Sequence, residues 1–307
     1  MRVLVTGGAG FIGSHLTDRL VSLGHEVCII DNLSTGKKKH INPQTRFYEM
    51  DIADETITTV FEKHTPQCIF HLAAQIDVRK SVQDPLYDAR SNILGTINLL
   101  TRSIAHGARK FIFSSSGGVI YGDTVEPAGE DTPPNPISPY GVAKLAGEGY
   151  IKCLGAWKGL DYSILRYANV YGPRQDPKGE AGVVSIFMGQ IASGERSVLY
   201  GEGRLERDYV FVDDVVEANT ACIESGLNET YNIGTGIATS VEALYGNITN
   251  VICSQNEKAY QPKRAGELNR NVLCIEKAGC ELGWKPLIDL QEGLQRTYEW
   301  FKSEKEQ

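Results

Sequence analysis

Along the first 170 or so residues, short apolar runs alternate with longer stretches whose apolar positions recur every three or four residues. Val3-Leu4-Val5 opens the series and predicts a buried strand, and Ile12, Leu16, Leu20 and Leu23 then fall on one helix face. Later runs predict strands at Glu26 to Ile30, Phe47 to Ile52, Cys68 to Leu72 and Lys110 to Ser115, with a long helix from about Pro85 to about His106. A proline-rich loop ends at Ser138-Pro139, a capping residue followed by a proline suited to the first helical position. Strand and helix in alternation imply an α/β fold, a doubly wound parallel sheet with functional residues at the carboxyl ends of its strands.

The connections carry the candidate chemistry. Gly7, Gly10 and Gly13 lie between the first strand and its helix, where they allow a tight turn, close approach to a pyrophosphate and close helix packing. Phe11 and Ile12 then open a helix whose free N–H groups face the ligand. The second strand ends at Asp31-Asn32, and a carboxylate there accepts hydrogen bonds from the adenosine ribose, which points to NAD. A 2'-phosphate would meet that negative charge unless Lys37, Lys38 and Lys39 folded back to neutralise it. Asp51 and Ile52, at the end of the third strand, are expected beside the adenine. Ala73 and Ala74 are small enough to let backbone approach the cofactor, Asn92 joins the cofactor set, and His71 reads as a satisfied core histidine. Tyr140 and Lys144 share a helix face, so an ammonium sits near a phenol. A phenol with a pKa of about 10 needs such a neighbour to act as a base at neutral pH.

Composition narrows the class. The 307 residues, 41% hydrophobic and 22% charged, suit a globular enzyme with a large core. No apolar run approaches the roughly 18 residues of a membrane span, and the first strand starts too early to leave room for a signal peptide, so a cytoplasmic location is expected. A net charge of −7 argues against nucleic acid as the main partner. The seven cysteines have no metal-like or redox spacing, so reduced, mostly buried thiols and no metal site are expected.

With these residues assembled, the chain resembles the extended short-chain dehydrogenase/reductase family over essentially its whole length. Gly7, Gly10 and Gly13 match its glycine pattern, Ser138-Pro139-Tyr140-Gly141-Val142-Ala143-Lys144 its Tyr-Lys motif, and Arg207-Asp208-Tyr209-Val210-Phe211-Val212-Asp213-Asp214 its substrate-domain signature. Within that family it is most similar to the UDP-galactose (UDP-glucose) 4-epimerases. The resemblance implies Tyr140 as catalytic base, Lys144 on the nicotinamide ribose, and Ser116 on the reacting hydroxyl, with Ser115 still in play. It places Asn169 on the diphosphate, Tyr200 against the uracil, and Arg207 and Arg264 on the phosphates. Asn271 falls where a smaller residue admits an N-acetyl group.

Relatives that dehydrate or decarboxylate the sugar usually carry an acid just after the Ser/Thr, whereas this chain has Gly117 and Gly118. The implied reaction is therefore NAD-dependent 4-epimerisation of a UDP-hexose, either UDP-glucose/UDP-galactose or the N-acetylated pair. A UDP-glucuronate 4-epimerase or decarboxylase is the alternative, and a non-catalytic NAD sensor a remoter one. The family also implies a homodimer through helices near Asn92 to His106 and Tyr140 to Leu154. The expected organisation is a Rossmann-type domain over 1–168 plus 209–235, interleaved with a smaller C-terminal UDP-sugar domain over 169–208 plus 236–307.

Overall fold

In a computed structural model describing residues 1–177, 182–254, 256–264 and 266–305, the predicted alternation builds one large sheet. Six of its strands come first in the chain: β1 (Arg2–Thr6), β2 (Glu26–Asp31), β3 (Arg46–Glu49), β4 (Cys68–His71), β5 (Lys110–Ser116) and β6 (Asp161–Tyr167). Four short strands follow: β7 (Asn169–Tyr171), β8 (Ser197–Tyr200), β9 (Glu206–Arg207) and β10 (Tyr209–Phe211). β11 (Glu229–Ile233) then returns to complete the seven-stranded parallel sheet, in the order β11-β6-β5-β4-β1-β2-β3. This is the doubly wound α/β fold. β1 lies between β2 and β4, so the order reverses there and leaves a crevice beyond the strand ends.

Side-chain alternation along the strands fills both faces. Val3, Val5, Ile29, Phe70 and Ile112 join Leu16 and Leu20 in one core, whereas Leu4, Ile30, Ile69, Phe111 and Phe113 pack with Leu99 and Ile151 in another. A third core, including Phe187, Leu199, Tyr209, Phe211, Leu244 and Leu294, belongs to the later chain. There β10 pairs with β7, and the last strands, β12 (Thr239–Ser240), β13 (Lys258–Gln261) and β14 (Arg270–Asn271), pair with β9, β8 and β9. β11 thus returns from the later chain to the large sheet, while β10 stays outside it.

Three sequence expectations need correction. The third strand stops at Glu49 instead of reaching Ile52. It is an edge strand paired only with β2, whose last residue, Asp31, stands opposite Glu49, so Asp51 and Ile52 lie in the turn beyond. The long helix is Pro85–Ala89 and Gly95–Ala105 joined by a π turn at Arg90–Leu94, and it is preceded by a separate helix, Val78–Gln83. All seven cysteines are free, but only Cys28, Cys68 and Cys222 are buried, while Cys153, Cys253 and Cys280 are exposed.

Two acids of the Arg207–Asp214 motif hold the later chain in place. Asp208 is fully buried; Oδ1 accepts from the Thr235 N–H (2.8 Å) and hydroxyl (2.6 Å), and Oδ2 from the Gly236 N–H (3.0 Å). Asp214 accepts from the Leu287 and Ile288 N–H groups at 2.9 and 3.1 Å. Asp208→Asn replaces an acceptor with an amide that faces these donors. It is expected to reduce unfolding free energy by about 2 kcal/mol, read from the urea midpoint; an unchanged midpoint would show that the turn after β11 does not depend on the charge.

Candidate active site

The crevice at the strand reversal is lined first by the turn after β1. Gly7 has φ 74°, and a side chain at Gly13 would put its Cβ 2.1 Å from the Gly7 carbonyl oxygen. Gly10, at the cap of helix Phe11–Ser22, brings no side chain to the first-turn N–H groups, and Gly10, Phe11, Ile12 and Gly13 all border the cleft. A tight turn with no room for a Cβ at Gly7 or Gly13, leading into a helix N-terminus on the cleft, fits a pyrophosphate. Asp31 lies at the end of β2, where Oδ2 accepts from Ala9 N–H at 2.9 Å and Oδ1 from Leu33 N–H at 2.8 Å. Each oxygen keeps a second lone pair for a ribose hydroxyl. Asn32 donates to Asp51 at 2.9 Å, and both border the cleft with Ile52.

Lys37, Lys38 and Lys39 do not neutralise Asp31. They pair instead with Asp176 (2.6 Å), Glu49 (3.0 Å) and Glu304. The site therefore keeps the negative charge that opposes a 2'-phosphate.

Ala73 and Ala74 form the opposite wall. The expected cofactor residue Asn92 stands behind that wall. It is buried in the π turn, its Oδ1 accepts from Gln75 N–H at 2.9 Å, and its Nδ2 donates to the Gln75 carbonyl (2.8 Å) and to Asp88 (2.9 Å). Its amide is spent on the loop, which lets Gln75 border the cleft.

Tyr140 and Lys144 enter on helix Pro139–Lys158, which begins as the sequence predicts, with Ser138 Oγ accepting from Gly141 N–H at 3.1 Å and proline at the first position. Lys144 is buried, donates to the Ser114 carbonyl at 2.7 Å, and lies 5.8 Å from the Tyr140 ring centroid. Burial pulls its ammonium down to about 8, against the opposing pull of Asp88 and Glu148. The serines at the end of β5 separate by strand alternation. Ser115 is buried and donates to Glu148 at 2.6 Å, whereas Ser116 borders both the cofactor cleft and the compartment beyond it. Ser114 and Ser115 line the cofactor cleft as well, but of the three only Ser116 reaches the second compartment.

That second compartment is lined by Gly118, Asn169, Arg207 and Tyr209, among others. The two glycines after Ser116 differ. A Cβ at 117 would lie 2.7 Å from both methyls of buried Leu273, whereas at 118 the nearest atoms are Asn169 Oδ1 and Ser116 Oγ at 3.6 Å. Arg207 donates to the Glu206 and Leu268 carbonyls at 2.7 and 2.8 Å, which fixes its guanidinium at the compartment wall. Three expected substrate residues do not line this space. Arg264 stacks on Tyr200, 3.5 Å from the ring centroid, so each occupies the other's face. Asn271 is fully buried, and its Nδ2 donates to the Gly117 carbonyl at 3.1 Å, supporting the turn after Ser116 from behind.

A model of the NAD dependent epimerase/dehydratase family matches residues 3–234. The chain belongs to this family. The UDP-glucose 4-epimerase of Thermotoga maritima, crystallised with UDP-glucose, is 48% identical, with a TM-score of 0.98 over 99% of each chain. That of Thermus thermophilus, in complex with NAD, is 41% identical, with a TM-score of 0.94 over 98% of this chain and 99% of the other. The UDP-glucose 4-epimerase of Mycolicibacterium smegmatis is 43% identical over 310 aligned positions, 99% of each chain.

Sequence reasoning missed several residues of this epimerase-family site. Gln75 follows Ala73-Ala74 directly and Gln175 follows the turn after β7, and both border the cleft. Tyr209 borders the second compartment. Its signal was present, because positions 207 and 209 on extended backbone turn to the same side while Asp208 turns inward.

His71 proves to be a core residue that braces the cofactor wall. Ala73 N–H donates to Thr6 Oγ1 (3.3 Å), the Thr6 hydroxyl to His71 Nδ1 (2.8 Å), His71 Nε2–H to Thr96 Oγ1 (2.9 Å), and the Thr96 hydroxyl to the Asn92 carbonyl (2.7 Å). This direction of donation assigns the neutral Nε2–H tautomer. Burial, helped by the Lys144 charge, pulls His71 down to about 3. The unfolded chain takes up its proton near pH 6.5 and the folded chain only near 3, so the stability it contributes is complete above 6.5 and lost as pH falls toward 3. His15 and His40, also held below their ordinary value, share in that slope. The decline of the urea midpoint from pH 7 to pH 4.5 is therefore expected to be shallower in His71→Asn than in the unaltered protein; parallel declines would exclude this role.

Proposed function

We propose that this protein is a UDP-hexose 4-epimerase that uses tightly held NAD to interconvert UDP-glucose and UDP-galactose through a 4-keto sugar. The observation that carries the reading is the convergence of Tyr140, Lys144 and Ser116 where the dinucleotide cleft opens into the Asn169–Arg207 compartment. Bound NAD supplies the reversible acceptor for the hydrogen that leaves C4 with its electron pair. Tyr140 takes the proton of the 4-hydroxyl, the Lys144 ammonium favours the phenolate it acts from, and Ser116 orients the reacting oxygen. Asn169 and Arg207 hold the diphosphate, with Arg207 supplying charge-assisted bonds.

Inversion requires the flat ketone to turn about its link to the diphosphate while those anchors stay in place. Gly117 and Gly118 suit this step in different ways: Gly118 leaves the compartment wall next to Ser116 without a side chain, and Gly117 lets the same turn close on Leu273. Neither supplies the acid that elimination or decarboxylation chemistry would use, which favours epimerisation over the UDP-glucuronate alternative.

Purified protein incubated without added cofactor is expected to convert UDP-glucose to its 4-epimer, with products resolved by NMR. UDP-N-acetylglucosamine and UDP-glucuronate run in parallel define the sugar preference. Tyr140→Phe is expected to keep its fold and NAD but lose turnover by roughly a hundredfold or more. Release of carbon dioxide from UDP-glucuronate would favour the decarboxylase, and no conversion of any sugar even with added NAD would sink the assignment.

We also propose a cytoplasmic homodimer. Exposed Leu94, Val142, Tyr150 and Trp157 lie on the helices Arg90–Ala105 and Pro139–Lys158, with Val82 and Leu86 on the helices just before them. Among the described residues no helix is long and apolar enough to cross a membrane, and a second copy of the chain would bury this apolar set. Sedimentation is expected to give twice the 33.7 kDa chain mass, falling to one chain in Leu94→Glu/Tyr150→Glu. A monomer before substitution would overturn the dimer.

A further inference from the structure

Glu148 has no part in the reaction described above, yet it is a buried carboxylate one helical turn beyond Lys144 on the same helix, 1% exposed. Oε1 accepts from Ser115 Oγ at 2.6 Å and from Arg166 Nε at 2.9 Å, and Oε2 accepts from Arg166 Nη2 at 2.6 Å. Arg166, on β6 and 3% exposed, uses Nη1 to donate to the Tyr121 hydroxyl at 2.7 Å. Tyr121 in turn donates to Asn232 Oδ1 on β11 at 2.8 Å. Removing both charges of a buried pair in favour of packed apolar side chains is often neutral or stabilising, so stability alone is a weak reason for this one.

Its position supplies a better reason. The bond to Ser115 ties the end of β5 to the helix that carries Tyr140 and Lys144. Because strand side chains alternate, holding Ser115 toward the helix turns Ser116 to the opposite side, toward Asn169 and the second compartment. The carboxylate also places a fixed negative charge beside a buried ammonium. The other groups around Lys144 are Asp88 from the helix Pro85–Ala89, the Tyr140 phenol on its own helix, neutral His71 on β4, and Arg166, which sits beyond Glu148.

We propose that Glu148 is a positioning residue of this site: through Ser115 it fixes the end of β5, and with it Ser116, relative to Tyr140 and Lys144, and its carboxylate is the counter-charge one helical turn from the Lys144 ammonium. This rests on the epimerase reading for its consequence in turnover, but its charge effect is measured independently of turnover. Protein carrying ¹³C-lysine, with the Lys144 Cε resonance assigned by its loss in Lys144→Arg, is titrated in the NAD-containing form. In Glu148→Gln, which keeps an acceptor for Ser115 but no charge, the Lys144 midpoint is expected to fall by one pH unit or more. UDP-glucose turnover is expected to fall about tenfold in kcat, with KM within twofold and the alkaline limb of the kcat profile displaced to lower pH along with that midpoint.

If Arg166, left without its partner, prevents Glu148→Gln from folding, Glu148→Gln/Arg166→Met removes both charges and is expected to lower the Lys144 midpoint in the same direction by a smaller amount, because the more distant Arg166 repulsion goes with the carboxylate. An unchanged midpoint in whichever variant folds with NAD bound overturns the charge role. Ser115→Ala leaves the ion pair in place and is expected to lower kcat several-fold without moving the Lys144 midpoint; unchanged kcat overturns the positioning role. If the unaltered protein turns over no UDP-sugar, the epimerase reading fails while the lysine titration still decides whether Glu148 governs Lys144.

Discussion

The site depends on a backbone contact too close for any side chain. Because Gly13 has no Cβ, the start of the first helix can rest against the Gly7 carbonyl, and because Gly7 takes a left-handed φ, the chain can turn sharply enough to bring it there. The turn is then tied to β2 twice, by Gly7 N–H on the Ile30 carbonyl at 2.8 Å and by Ala9 N–H on Asp31 at 2.9 Å. The glycine turn and the Asp31 carboxylate are thereby one rigid unit at the strand reversal. Ala73 and Ala74 reach the same place because β4 is the other neighbour of β1.

Around that unit, buried polar groups link segments far apart in the chain. A charge or amide taken out of water is costly unless its partners are supplied in full, so each such group specifies where several distant segments must lie. Asp208 fastens the start of β10 to the turn after β11. Glu148 and Arg166 join the Tyr140 helix to β5, β6 and β11. His71 and Asn92 hold the cofactor wall from behind. The cleft is consequently lined by side chains whose supports lie in the interior.

Interior supports and cleft residues look alike in a sequence. Ser115 and Ser116 are adjacent hydroxyls at one strand end, and only the buried acid behind β5 separates their roles. Asn92 and Asn271 are polar residues near the right elements, yet each spends its amide on backbone carbonyls. Arg264 and Tyr200 are the two groups best suited to phosphate and uracil, and they stack on each other. The end of the third strand was similarly hidden, because an edge strand runs only as far as its single partner.

The sequence by itself determined the parallel α/β alternation, the glycine turn with its helix, the Asp31 strand end, the Ser138-Pro139 helix start and the pairing of Tyr140 with Lys144. These features are set by contacts within a few residues, where spacing dictates geometry. Tertiary structure alone decided which polar side chains face the cleft and which are consumed inside. That choice depends on partners far along the chain, 17 residues away for Asn92 and Gln75 and 154 for Asn271 and Gly117, and no local pattern encodes them.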